Sequence, residues 1–313
     1  MNEIQALQIT VPQIARLRAQ RRLYSSAKAV LALQVILSAP FAVAWSVTGI
    51  FFPETKAFAA LWGVAVALLD VFVFTPRQKS LKTKAAKIQE AFDCDVLGME
   101  WRPISVGSRP DQEDVVRWSA REKLTPADEK DKDGWYPNAV RLLPMPLARI
   151  VCQRANFWWD AELRRRYAAG TAAVVTVIFA ISATAGVIGH FPLDQWVLGA
   201  IVPLLPVSFL GIRQYKEQRE AADRLDALRG HAERLWREAL GGVDYETLAR
   251  QSRELQDELY DHRRRNPLIF DWIYARLRSR QEEQMNRAAD ELVAEACRKL
   301  HLGSSSDSLD ASA

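Results

Sequence analysis

AVLALQVILSAPFAVAWSVTGIFF, residues 29–52, carries no formal charge, and the turn Pro53-Glu54-Thr55-Lys56 joins it to AFAALWGVAVALLDVFVF, residues 57–74. A helix needs roughly 17–25 mostly apolar residues to cross the hydrocarbon core of a bilayer, and both blocks meet that length. Joined by so short a turn, they must form an antiparallel hairpin. The pattern repeats downstream, where residues 168–191 are followed by Pro192-Leu193-Asp194-Gln195 and then by residues 196–212. A core helix of a soluble protein shows a polar stripe at helical spacing. These blocks are apolar on all faces. The sequence therefore predicts an all-α integral membrane protein with two transmembrane hairpins, four spans in all, and a cytoplasmic helical domain.

The average composition hides this. Over 313 residues the net charge is only +4 and 26% of residues are charged, which alone would suggest a soluble protein and gives no argument for nucleic acid. The charges lie almost wholly outside the four blocks. Arg16, Arg18, Arg21, Arg22 and Lys28 precede the first block, and Arg77, Lys79, Lys82, Lys84 and Lys87 follow the second. Arg164, Arg165 and Arg166 precede the third, and Arg213, Lys216 and Arg219 follow the fourth, while Lys56 is the one basic residue at the two hairpin tips. By the positive-inside rule both termini and the central loop face the cytoplasm. The first block follows a long Arg-rich segment and exceeds a signal-peptide core in length, so no secretory signal is expected. Cys94, Cys152 and Cys297 have neither metal nor redox spacing and fit inert thiols in a reducing compartment.

The chain divides into a cytoplasmic N-terminal segment (1–28), a first hairpin (29–75), a cytoplasmic loop domain (76–167), a second hairpin (168–212), a cytoplasmic helical and coiled-coil domain (213–302) and a polar tail (303–313) expected to be disordered. Within the loop, residues 77–92 and 112–123 read as helices and 95–104 as a short strand. A further helix starts near Leu147 and runs into the third span. After the fourth span, Ala221, Leu225, Leu228, Ala232, Leu235 and Ala239 alternate spacings of four and three, a coiled-coil seam. Such a seam can zip subunits together or pair with a neighbour in the same chain. Gly241-Gly242 ends that helix and Asp244 is a candidate N-cap for the next. Asn266-Pro267 breaks the chain again, with Asn266 as a cap and Pro267 at the first helical position.

Inside the spans, an ionised Asp70 would cost about 3 kcal/mol at a helix centre. It lies near the cytoplasmic end, where local solvation and a pore role both fit. Pro40, Pro203 and Pro206 each remove a backbone hydrogen bond and can kink their helices, for packing or for gating. The small residues Gly170, Ala173, Ala180, Ala183 and Gly186 favour close helix contact in the third span. Outside the spans two clusters combine arginines, aromatics and amides. One holds Trp135, Tyr136, Arg149, Gln153, Arg154, Asn156, Trp159 and Asp160, with Arg164; the other Gln256, Asp257, Tyr260, Arg263, Arg264, Asp271, Trp272 and Tyr274. Arginine forks recognise phosphates and aromatic faces stack bases, so a nucleotide is a reasonable ligand. The same residues also fit membrane anchors and an interfacial aromatic belt. There is no Gly-rich phosphate loop, HExxH, CxxC or nucleophile elbow, and the four histidines are dispersed. No catalysis, metal or cofactor is expected.

Trp135-Tyr136-Pro137, CQRANFWWDAELRRRY (152–167) and LQDELYDHRRRNPLIFDWIY (255–274), in the order hairpin, loop, hairpin, helical tail, resemble the SMODS-associating four-transmembrane effectors of bacterial anti-phage systems. The resemblance covers most of the chain except residues 104–134 and the last dozen. It implies a multi-pass protein of the bacterial inner membrane, working with a cyclic-oligonucleotide synthase of the CBASS type without stable contact. A cyclic di- or trinucleotide made on infection would activate a homo-oligomer through its cytoplasmic helices. The lipid bilayer would then be disrupted or permeabilised, ending in abortive infection. The resemblance assigns no nucleotide-contacting residue. The residues alone also allow a ligand-independent membrane scaffold displaying its coiled coil, and an oligomeric transporter, which the sparse polar lining of the spans disfavours.

Overall fold

The computed structural model describes residues 2–122 and 134–302, and every regular element among them is helical. Helix α1 (Ile4–Gln8) leads into α2 (Val11–Phe51), which has a proline in its first turn, where the missing N–H costs nothing. A 3-10 turn, Pro53–Thr55, reverses the chain into α3 (Lys56–Leu69), which continues through a π-helical segment, Asp70–Phe74, into α4 (Thr75–Val96). Then come α5 (Pro103–Val106), α6 (Gln112–Ser119), a 3-10 turn Asn138–Leu142 and α7 (Met145–Ile188). Helix α8 (Leu193–Trp196) and a π-helical segment, Val197–Ile201, open α9 (Val202–Leu240), and α10 (Tyr245–Arg265) and α11 (Asp271–Lys299) complete the chain.

Three stretches, Val11–Gly49, Pro53–Val96 and Met145–Ile188, are long and apolar enough to cross a membrane, and the pair Leu193–Ile201 and Leu204–Leu240, bent by 58°, makes a fourth if taken as one span. Their large apolar side chains stand outward, with Phe72 73% and Val187 74% exposed. That is the reverse of a soluble core and fits a lipid-facing surface. The fourth block is therefore bent rather than a single straight helix, and Pro206 lies inside α9 just beyond the bend. The side chain of Pro203 lies outside the described residues. Helix α2, by contrast, continues through Pro40.

The polar body is an extension of the same rods. The segment divisions after residues 28, 75, 167 and 212 all fall inside continuous helical stretches. Leu23, Ala27 and Leu31 of α2 pack on Leu81, Ala85 and Ile88 of α4 and Val115 of α6. A larger core joins Phe92, Leu147, Ile150 and Phe157 to Leu225, Leu235, Leu248, Leu259 and Val293. Ala221, Leu225, Ala232, Leu235 and Ala239 are all buried within the chain, and α9 runs alongside α7. The seam thus pairs with a neighbour in the same chain.

Asp244 caps α10 by accepting from the Thr247 N–H at 2.8 Å. Other local expectations shift. Residues 97–102 form turns and coil where a strand is expected, and α6 ends at Ser119. Pro267 does not open the last helix. Asn266 closes α10, and α11 begins only at Asp271 with Phe270 as its cap, because the intervening backbone is bonded elsewhere. Lys123 and the tail at 303–313 lie outside the described residues.

Leu225→Ala should lower stability by about 2–5 kcal/mol, the usual range for a fully buried leucine. Thermal unfolding of the detergent-purified protein measures this, and a change below about 1 kcal/mol would contradict burial against α7.

Candidate functional site at the foot of the spans

Residues 266–270, between α10 and α11, lie outside both helices, and among the described residues only the Asn266 N–H (to His262 O, 2.9 Å) and Phe270 O (from the Ile273 N–H, 3.1 Å) bond back to them. Buried carbonyls need donors, and side chains from the polar ends of the apolar rods supply them. Lys82 of α4 donates to Asn266 O at 2.8 Å, Arg164 of α7 to Pro267 O at 3.1 Å, and Gln218 of α9 to Leu268 O at 3.0 Å. From α2, Lys28 pairs with Asp271 at 2.5 Å and the Ser25 hydroxyl donates to the same carboxylate at 3.1 Å. One short corner is thereby bonded to a helix from each of the four apolar blocks. Leu268 packs in the α2–α4 core and Ile269 against Leu163 and Tyr167 of α7.

The surroundings of Asp160 and His262 hold both in one protonation state at neutral pH. Arg164 bonds Asp160 at 3.0 Å and Gln218 at 2.8 Å, and His262 meets Asp160 at 3.2 Å. Burial would raise Asp160, but Arg164 and His262 hold it well below the usual carboxylate range. Burial pushes His262 down, so it stays neutral at pH 7. Burial also lowers Lys82 to about 8, with Arg164 and Lys79 adding to the effect and Glu217 opposing it.

A second network lies deeper. On α10, Arg253, Gln256, Tyr260 and Arg263 follow 3-4-3 spacing and share one face. Arg253 bonds Glu90 at 2.8 Å and Asp257 at 2.6 Å, and Arg263 pairs with Asp93. Gln256 donates to Glu90 at 2.8 Å and to Asp93 at 2.9 Å, while the Tyr136 hydroxyl donates to Asp93 at 2.7 Å. Gln153 of α7 exchanges hydrogen bonds with Ser252 and donates to Gln256 at 3.1 Å. Burial, reinforced by Asp93, raises Glu90 against the pull of Arg253. Burial and Asp93 likewise raise the Tyr136 phenol. Burial pushes the Cys94 and Cys152 thiols up, which leaves both unreactive.

Of the residues singled out from sequence, Tyr136, Gln153, Gln256, Asp257 and Arg263 meet in this network. Asp160 and Asp271 belong to the corner. The rest are dispersed. Arg149 bonds Leu97 O and Gly98 O, and Arg154 pairs with Glu233 at 3.1 Å. Trp135 leans on the main core, Trp159 packs beside Ile269, and Arg264 lies 6.0 Å from the Tyr260 ring. The Asn156 amide nitrogen is buried without a hydrogen-bond partner. The side chains of Trp272 and Tyr274 lie outside the described residues. Sequence reading missed Glu90, Asp93, Arg253, Lys82 and Gln218. Arg253 was recoverable from the 3-4-3 face; Lys82 and Gln218 carry no sequence signal.

The opposite face of α10, from Gln251 through Leu255, Glu258 and His262 to Arg265, lines an open cavity of about 770 Å³ shared with α9. Helix α9 contributes Arg224, His231 and Arg234. None of the residues chosen from sequence lines it. Among the described residues no group of three or more His, Cys, Asp or Glu side chains could hold a metal ion.

Apolar rods with outward hydrophobic faces, carrying a helical polar body, define a membrane protein. Residues 2–292 match the SMODS-associating 4TM effector domain, and the chain belongs to that family, a class of membrane effectors in antiviral defence. It is also similar, at 23% identity over 87% of this chain and 92% of the relative, to a Bacillus cereus (strain VD146) protein described as a probable CBASS effector molecule. No solved structure matches.

Arg263→Ala should cost about 3–5 kcal/mol by leaving the Asp93 carboxylate buried and unpaired, and adding Asp93→Asn should recover part of that in the same unfolding assay. His262 has a depressed folded-state pKa, so the unfolded chain takes up its proton first on acidification. Stability contributed by the neutral ring is complete above the ordinary value of 6.5 and is lost as pH falls through it. His262→Gln should flatten the stability profile as pH falls through 6.5; an unchanged slope would contradict this assignment.

Proposed function

We propose that this protein is the membrane-acting arm of a CBASS defence, activated when a cyclic di- or trinucleotide occupies the α9–α10 cavity. The observation that carries the reading is the corner at 266–271, bonded to a helix from every apolar block and continuous with a helix that lines an open cavity. Its volume lies in the range of small-molecule sites. Arg224, Arg234 and Arg265 offer forks for phosphodiesters, and Gln251, Glu254 and Glu258 offer acceptors for base edges. Tyr136, Gln153, Gln256 and Arg263 would then position α10 through the buried network rather than touch the ligand. A ligand shifts the corner only by binding the shifted state more tightly.

Basic flanks on all four blocks support an orientation in which the corner, the cavity and both termini face the cytoplasm at a bacterial inner membrane. A diffusible nucleotide would reach the cavity there, so the synthase need not touch the effector. Movement of the corner would rearrange the spans, singly or in a homo-oligomer, and the membrane would lose its barrier. No bond-making step by this chain is needed.

Isothermal titration of the detergent-purified protein against cyclic di- and trinucleotides tests the ligand. We expect saturable binding of one member, weakened at least about tenfold by Arg234→Ala, the equivalent of one lost charge-assisted contact. Folded protein that binds no member of the panel would overturn the reading in favour of a ligand-independent scaffold.

A further inference from the structure

A second cavity, of about 560 Å³, lies inside the apolar layer between α2, α3 and the bent α8–α9 segment. Most of its wall is apolar, but Gln34, Ser38, Asp70 and Arg213 also line it, and Lys56 lines it from the hairpin-tip end of α3. Polar groups at membrane depth are expensive and mark ion or substrate paths more often than packing. Here they are also organised. Asp70 accepts from Gln34 at 2.8 Å, from Thr75 at 2.9 Å and from Arg213 at 3.2 Å, and Gln78 donates to Gln34 at 3.0 Å. The cluster joins all three walls at one end of the cavity, and the Asp70–Arg213 pair bridges the two hairpins.

We propose that this cavity is a pathway for small hydrated inorganic ions, closed at its cytoplasmic end by the Asp70–Arg213 pair. Local neutralisation of a stray carboxylate would explain the ion pair alone. Gln34 also bonds that carboxylate, and the Ser38 hydroxyl donates to Gln34 O at 2.8 Å one turn further on, so the polar lining reaches past the pair into an uncharged block. The cavity's polar end, lined by Gln34, Ser38, Asp70 and Arg213, offers the partners that a bound water needs. One wall is fixed: a Cβ at Gly49 would lie 3.5 Å from Gly199 O, so α2 and the second π-helical segment are in near backbone contact. The α3–α9 side is held by side chains, with Gly63 facing the Pro206 ring (a Cβ there would lie 3.9 Å from it) and the ion pair at its end. Both helices carry π-helical turns beside the cavity, at Asp70–Phe74 and Val197–Ile201, and such turns recur at functional sites. Charges of both signs at the mouth fit ion passage without strong selectivity.

The pathway rests on the proposed function only for its trigger, so its test uses no nucleotide. Full-length protein is reconstituted into phosphatidylethanolamine–phosphatidylglycerol vesicles loaded with potassium chloride, and potassium efflux is followed. Wild-type vesicles should stay tight. Arg213→Gln should leak at least about tenfold faster, because a tenfold population shift needs only a modest loss of closed-state stability. The charge-swapped Asp70→Arg, Arg213→Asp protein should be tight again. In a Cys297→Ser background, Ser38→Cys should react with a membrane-impermeant thiol reagent only when Arg213→Gln is also present. Folded, monodisperse Arg213→Gln and Asp70→Asn proteins that stay tight, with Ser38→Cys unreactive, would overturn the pathway. If Arg213→Gln leaks while no cyclic nucleotide opens the wild type, the pathway stands and the nucleotide trigger falls. If nucleotide opens the wild type while Arg213→Gln stays tight, the trigger stands and this pathway falls.

Discussion

The polar body hangs on the backbone carbonyls of one short break. Pro267 cannot continue α10, and the residues up to Phe270 leave the helix before α11 begins. Each buried carbonyl without a donor would cost about 1–3 kcal/mol. Lys82, Arg164 and Gln218 supply those donors, and Lys28 and Ser25 hold Asp271 at the end of the break. Four rods that could otherwise slide past one another are thereby indexed to a single point.

That point matters because the rods are continuous. Helix α7 runs 44 residues, which at 1.5 Å per residue is about 66 Å, and no linker separates its polar half from its apolar half. Along α7 a displacement at the corner would be carried into the apolar layer as tilt or rotation, with no break in the helix to absorb it. The buried ion network serves the same end. Breaking one partner of a buried pair is far more costly than the pair is stabilising, so Glu90, Asp93, Arg253 and Arg263 fix the rotation of α10 about its axis. With that rotation set, one face of α10 is committed to the network and the other to the cavity.

The apolar layer is less uniform than its composition. α2 and the segment Val197–Ile201 approach at glycines, while α3 and α9, which meet where Gly63 faces Pro206, flank a cavity and are joined at its end by an ion pair. Family membership and the similarity to a probable CBASS effector place the protein among membrane effectors. The geometry joins a polar corner, through helices that run on into the apolar blocks, to a charged contact at one end of the apolar layer.

The sequence by itself determined the apolar blocks, their short turns, the run of α7 from the polar body into the third block, and the Asp244 cap. These are written locally, in unbroken hydrophobicity and in residues adjacent along the chain. It also marked Asp70 as unusual, read Arg164 as a basic flank and Asp271 as one of a candidate ligand cluster, and grouped the residues at 255–274 that carry the family resemblance. Tertiary structure alone decided what they touch. Asp70 meets Gln34 and Arg213 from two other helices, and Asp271 meets Lys28 across 243 residues. The seam on α9 could have faced another subunit, and only packing against α7 assigned it to the same chain. Asn266-Pro267 announced a break, but the start of the last helix depended on distant donors taking the intervening carbonyls. Hydrophobic periodicity records which face is buried, whereas the partner of a polar group is set by the three-dimensional meeting of helices far apart in sequence.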